Sequence, residues 1–156
     1  MGRSSPVWKV MFFGTFKESR PVEGDWEVSL PDEEPQSLLT ILNIIHGRFA
    51  EVPKKPSLEQ LYLILALAHK YDMLQQVRPW APLWGEAVSR FAEQSKVNVK
   101  WLTFVTWELG NERIFRSVVE DLVFDCTADS EGRLMTPEGH CLDDFDHFGP
   151  RGLTGK

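Results

Sequence analysis

Cysteine and histidine are the side chains from which zinc sites are built, and four of them fall in one stretch of this chain: Cys126, His140, Cys141 and His147. Thiolate and imidazole can hold zinc in a tetrahedron. The spacing does not favour it: there is no Cys-x-x-Cys or His-x-x-x-His pair, and adjacent His140 and Cys141 would need distant partners to share one ion. Asp143, Asp144 and Asp146 lack the Asp-x-Asp-x-Asp-Gly order of a calcium loop and read as a solvated acidic segment. Residues 149–156, GPRGLTGK, echo a phosphate-binding loop, but Pro150 stands where the first glycine of that loop belongs. His69 would need a nucleophile or carboxylate brought beside it to act in catalysis. It lies with Lys70 near the end of an apolar helical stretch, where cations suit the helix C-terminus. No catalytic, cofactor-binding or metal-ligating residue is therefore expected, and the chain does not read as an enzyme.

The 156 residues carry 42% hydrophobic and 26% charged side chains, an ordinary balance for a globular chain. The net charge of −6 opposes binding to a phosphate backbone, which needs clustered Lys and Arg. With two cysteines and no apolar leader, neither a disulfide framework nor a secretory signal is expected. No apolar run approaches the ~20 residues of a membrane span. The expectation is an intracellular protein of cytosol or nucleus, with protein partners, no nucleic acid and no membrane.

The chain is organised around residues 57–73, SLEQLYLILALAHKYDM. Ser57 and Gln60 form a capping box. Leu58, Leu61, Leu65 and Ala68 recur at helical spacing, and Leu63, Ile64 and Leu67 extend the apolar surface nearly all round. Such a helix is buried on several sides.

Before it, Ser5 and Pro6 open a helix that Gly14 stops. Trp26, Val28 and Leu30 alternate with Glu27 and Ser29, which predicts a strand over residues 26–30 closed by Pro31. Residues 36–47 predict a second helix with Gly47 as its stop, and residues 49–52 a second short strand. After it, Pro79 and Pro82 predict a kink or restart. Asn98 and Asn111 cap two further helices, with Gly110 between them. Trp80 and Trp84 are expected in the core. Residues 127–156 read as an irregular tail.

Taken in order, SPVWKVMFFGTFKES, EVSLPDEEP, LLTILNIIHGRF and LYLILALAHKYDM resemble the BTB/POZ domain. HGRF and RPWAPLW look most like its fungal members. The resemblance covers about residues 4–92. It implies a mostly α fold of α+β type: an N-terminally incomplete BTB/POZ-like core over residues 1–94 with one or two short strands, a helical extension over 95–126, and the tail. In this family two strands and a helix precede the segment matching residues 5–13, and they are expected to be absent here. The helix that often ends Tyr-Thr-Gly in animal members ends His46-Gly47-Arg48.

The resemblance implies protein–protein interaction: self-association, and in many members recruitment of a cullin scaffold as the substrate adaptor of a ubiquitin ligase. The family's cullin contact is a hydrophobic-x-Glu motif. At that position stand Phe16, Lys17 and Glu18, the expected partner-binding residues. The same three-residue pattern recurs at Phe49, Trp84, Phe91 and Val118, so its place in the ordered set carries it. The alternative is a scaffold or transcription-regulatory protein whose C-terminal helices bind the partner.

Overall fold

A computed structural model describes residues 4–21, 23–92, 98–136, 139 and 141. Among the described residues the chain is mostly helical with one two-stranded sheet, and it divides into two compact units. One comprises residues 1–54 and 63–80, the other 55–62 and 81–156.

In the first unit, α1 (Pro6–Phe13) starts where the Ser5 hydroxyl accepts the Trp8 amide at 3.0 Å. It ends at Gly14, whose N–H reaches the Val10 carbonyl. A Cβ at Gly14 would stand 2.3 Å from that carbonyl oxygen, so only glycine closes the helix this way. Trp8 and Phe12, four residues apart, bury one side. The next helix, α2 (Pro35–Ile45), is capped by Glu34, whose two carboxylate oxygens accept the Gln36 and Ser37 amides at 2.9 and 2.6 Å.

The central helix α3 (Leu58–Lys70) forms as its capping box predicts. The Ser57 hydroxyl accepts the Gln60 amide at 3.1 Å, and the Gln60 side chain accepts the Ser57 amide at 2.9 Å. Leu58, Leu61, Ile64, Leu65, Leu67 and Ala68 are all buried. The helix ends in a Schellman motif: Met73 N–H bonds to Ala68 carbonyl and Asp72 N–H to His69 carbonyl. Asp72 takes the left-handed position at φ 52°, where Asp is among the few tolerated residues. Beyond it, α4 (Leu74–Val77) passes into a 3-10 turn, Arg78–Trp80.

In the second unit, α5 (Ala81–Ala92), α6 (Val99–Glu108) and α7 (Glu112–Asp125) pack on one another. Asn98 and Asn111 cap α6 and α7 through their side-chain oxygens, at 3.1 and 3.3 Å from the Trp101 and Ile114 amides. Gly110, at φ 70°, lets α6 close as α3 does. Ile114, Val118 and Leu122 form the buried stripe of α7.

Three expectations are corrected. Residues 26–30 form no strand, because among the described residues no strand lies beside them. Residues 49–52 are not a strand either. Phe49–Glu51 is a 3-10 turn closed by bonds from Glu51 to Arg48 and from Val52 to Phe49; Ala50 and Glu51 have little strand preference. Third, the sheet lies inside the supposed irregular tail. β1 (Thr127–Ala128) pairs antiparallel with β2 (Leu134–Met135), Thr127 opposite Met135. Asp129 nucleates the turn: one carboxylate oxygen accepts the Glu131 and Arg133 amides, each at 2.9 Å, and the other meets the Arg133 side chain at 2.8 Å. These bonds, led by the Arg133 amide, hold the Asp129 carboxyl below the usual carboxylate range. Of the tryptophan pair, Trp84 is in the core as expected, while Trp80 is half-buried and meets Phe49 at 6.0 Å.

Candidate functional site

The loop after α1 is held by α1's own unpaired carbonyls. The Arg20 amide bonds to Phe12 carbonyl at 2.9 Å, and the Ser19 hydroxyl lies 2.9 Å from Gly14 carbonyl and 3.1 Å from Met11 carbonyl. These bonds give fixed positions to the residues the sequence singles out. Phe16 is 57% exposed, Glu18 is half-buried, and both line one apolar groove of about 670 Å³. Lys17 is exposed and lies outside that lining. Val7, Val10 and Met11 of α1 form one wall, and Ser29, Leu30 and Pro31 another. The structure thus brings Phe16 and Glu18 together on one surface and separates Lys17 from it.

Polar groups, Glu33, Lys70 and Tyr71, also line the groove. The Glu33 side chain is 8% exposed and accepts Lys70 Nζ at 2.6 Å and the Tyr71 hydroxyl at 2.5 Å. Burial, then the bond to Glu33 and the charges of Glu33, Asp32 and Glu18, push the Tyr71 phenol well above its ordinary ionisation range. Tyr71 carbonyl accepts the Ser5 hydroxyl at 2.5 Å, and the Trp8 ring lies 5.3 Å from the Tyr71 ring. The start of α1, the end of α3 and the approach to α2 are joined through these few groups.

Sequence reasoning missed Glu33, Lys70 and Tyr71 as part of this surface. Glu33 and its partners stand 37 and 38 residues apart, and no local pattern pairs them. A second feature was legible. Residues 18–34 hold seven carboxylates against one arginine, a net of −6, equal to the charge of the whole chain. The rest of the sequence is balanced, so the charge is concentrated beside the groove.

The second unit has its own groove, of about 570 Å³, between α6 and α7, with Trp107, Phe115, Arg116 and Val119 in its lining. Cys126 is half-buried and Cys141 buried. His140 and His147 lie outside the described residues, as do Asp143, Asp144, Asp146 and residues 149–156. Among the described residues no group of three His, Cys, Asp or Glu side chains is placed to hold a metal, and no helix is long and apolar enough to cross a membrane. His69 is exposed on α3. Comparison of the chain with protein-family models, with curated proteins and with solved structures found no match.

Proposed function

We propose that this chain is a non-enzymatic protein-interaction module of BTB/POZ type, and that it docks a partner in the groove beside α1. The supporting observation is the pairing of an exposed Phe16 with a half-buried Glu18 on that one apolar surface. An aromatic side chain can serve as an apolar anchor for a partner, and a carboxylate beside it can accept a charge-assisted hydrogen bond. The partner proposed is a cullin scaffold, with the chain as substrate adaptor of a ubiquitin ligase. Both changes Phe16→Ala and Glu18→Ala are expected to weaken cullin pull-down, each by ~2 kcal/mol or more, with helicity unchanged. No capture by the parent, or capture by both variants unchanged from the parent's, overturns this reading.

The groove between α6 and α7 supports a second reading, a scaffold or transcription-regulatory protein that binds through its C-terminal helices. Trp107 is 44% exposed there and shares the lining with Phe115, and Trp is enriched among interface hot spots. Partner capture lost in Trp107→Ala and kept in Phe16→Ala would favour this second surface.

A further inference from the structure

Residues 25–30 run towards α2 without helix, turn or strand pairing. From Glu27 to Leu30 the exposure still alternates, with Glu27 and Ser29 exposed and Val28 and Leu30 half-buried, while Trp26 before them is 40% exposed. That is the period of a strand. Trp26 pins the start of the segment, its indole N–H donating to Glu18 carbonyl at 3.1 Å and its ring meeting Phe12 edge-on at 5.5 Å. Among the described residues, Glu27, Val28 and Ser29 exchange no backbone–backbone hydrogen bond with any other residue. A row of unpaired N–H and C=O groups on a held segment is a template for another strand. Ser29 and Leu30 also line the groove that Val7 and Val10 border, so alternate side chains of an added strand have an apolar place to go.

We infer that residues 25–30 are a strand-addition site for an extended segment of a partner protein in which apolar residues alternate with lysine or arginine. The choice of occupant follows from charge. Asp25 and Glu27 are exposed within the span that carries the chain's whole net charge of −6, and complementary potentials select the partner and speed encounter. A second copy would bring the same acidic span against itself, which like-charge repulsion opposes. The inference deepens the interaction reading and rests on its groove, but not on Phe16 and Glu18 as a cullin contact.

The test uses the full chain and fluorescently labelled peptides of about ten residues, long enough for one strand. One alternates valine with lysine and a second valine with glutamate. A third has the valine–lysine composition reordered to helical spacing. Two more are the valine–lysine peptide N-methylated at every valine or at every lysine. The first is expected to bind. The glutamate peptide, the helical ordering and one of the two methylated forms are expected to bind about tenfold more weakly or worse, a difference of ~1.4 kcal/mol.

On the protein side, the double change Asp25→Lys and Glu27→Lys is expected to cost about tenfold and to flatten the salt dependence. Ser29→Pro removes an N–H that has no backbone partner among the described residues, so it is expected to keep helicity and lose binding. No binding by the valine–lysine peptide overturns the inference. So does equal binding by both methylated forms and the helical ordering, since charge alone would then suffice. Cullin capture and peptide binding are read separately, so either proposal can fail without the other.

Discussion

Helices α1 and α6 are similar in composition and opposite in fate. Each has six apolar side chains of the aliphatic or aromatic kind, α1 within PVWKVMFF and α6 within VKWLTFVTWE. Yet α6 buries five residues in a row, Leu102 to Thr106, including two threonines. In α1, Val7, Val10 and Phe13 remain 40%, 57% and 63% exposed. The difference is in the neighbours. Within its unit α6 packs on both α5 and α7, which covers Leu102 to Thr106. The threonines enter this core because their hydroxyls bond back to their own helix: Thr103 donates to Val99 carbonyl and Thr106 to Leu102 carbonyl, each at 2.7 Å. A buried hydroxyl with such a bond avoids the desolvation penalty of an unpaired one. Helix α1 has only its Trp8–Phe12 side covered. Apolarity alone therefore did not decide burial here; a covering element did. The uncovered side borders the groove.

The comparison is most exposed to a pair of phenylalanine truncations. Phe104→Ala on α6, at 1% exposure, is expected to cost ~3–5 kcal/mol. Phe13→Ala on α1 is expected to stay within ~0.5. Equal urea midpoints for the two variants would show that the two helices do not differ as described.

The next effect is at the polar groups of the groove. Tyr71 has a raised phenol pKa, so folding favours the protonated form. The stability it contributes is fully present below the unfolded phenol's pKa of ~10 and is lost as pH rises through the folded value. Tyr71→Phe is expected to cost about 1 kcal/mol at neutral pH, the worth of one hydrogen bond, and to remove that alkaline loss. In a phenolate absorbance titration of the parent, one of the two tyrosines is expected to ionise late. Two ordinary titrations would break the Tyr71–Glu33 link.

The smallest effect on stability sharpens the contrast most. Val10→Ser is expected to leave the melting temperature nearly unchanged, within the ~0.5 kcal/mol of an exposed substitution. It is also expected to lower binding of a hydrophobic dye such as ANS, because exposed apolar side chains of this kind supply the dye's surface. A parent chain silent to the dye would mean that the side of α1 facing the groove is covered in solution.

Local signals were enough for every helix start with a recognised cap. Ser5, Ser57, Asn98 and Asn111 cap as their side chains predict, because a capping bond spans three residues and needs nothing from the rest of the fold. Leu61, Leu65 and Ala68 are buried on the face that their spacing marked for the same local reason. The hairpin was partly legible and overlooked: Asp129 with Gly132, at φ 77°, is a turn signal that outweighed the weak periodicity of the two-residue strands.

What the amino-acid order determined, then, is where helices begin, which side of α3 is apolar, and that the negative charge sits within residues 18–34. Only the tertiary structure decided the rest. A strand exists through a partner's hydrogen bonds, so the alternation of residues 26–30 could not make one alone. Burial is a property of what lies opposite, so α1 and α6 could not be told apart from their composition. The groove needed Glu33 to meet Lys70 and Tyr71, 37 and 38 residues further along the chain. That meeting is set by how α1, α2 and α3 converge, and no spacing along the chain encodes it.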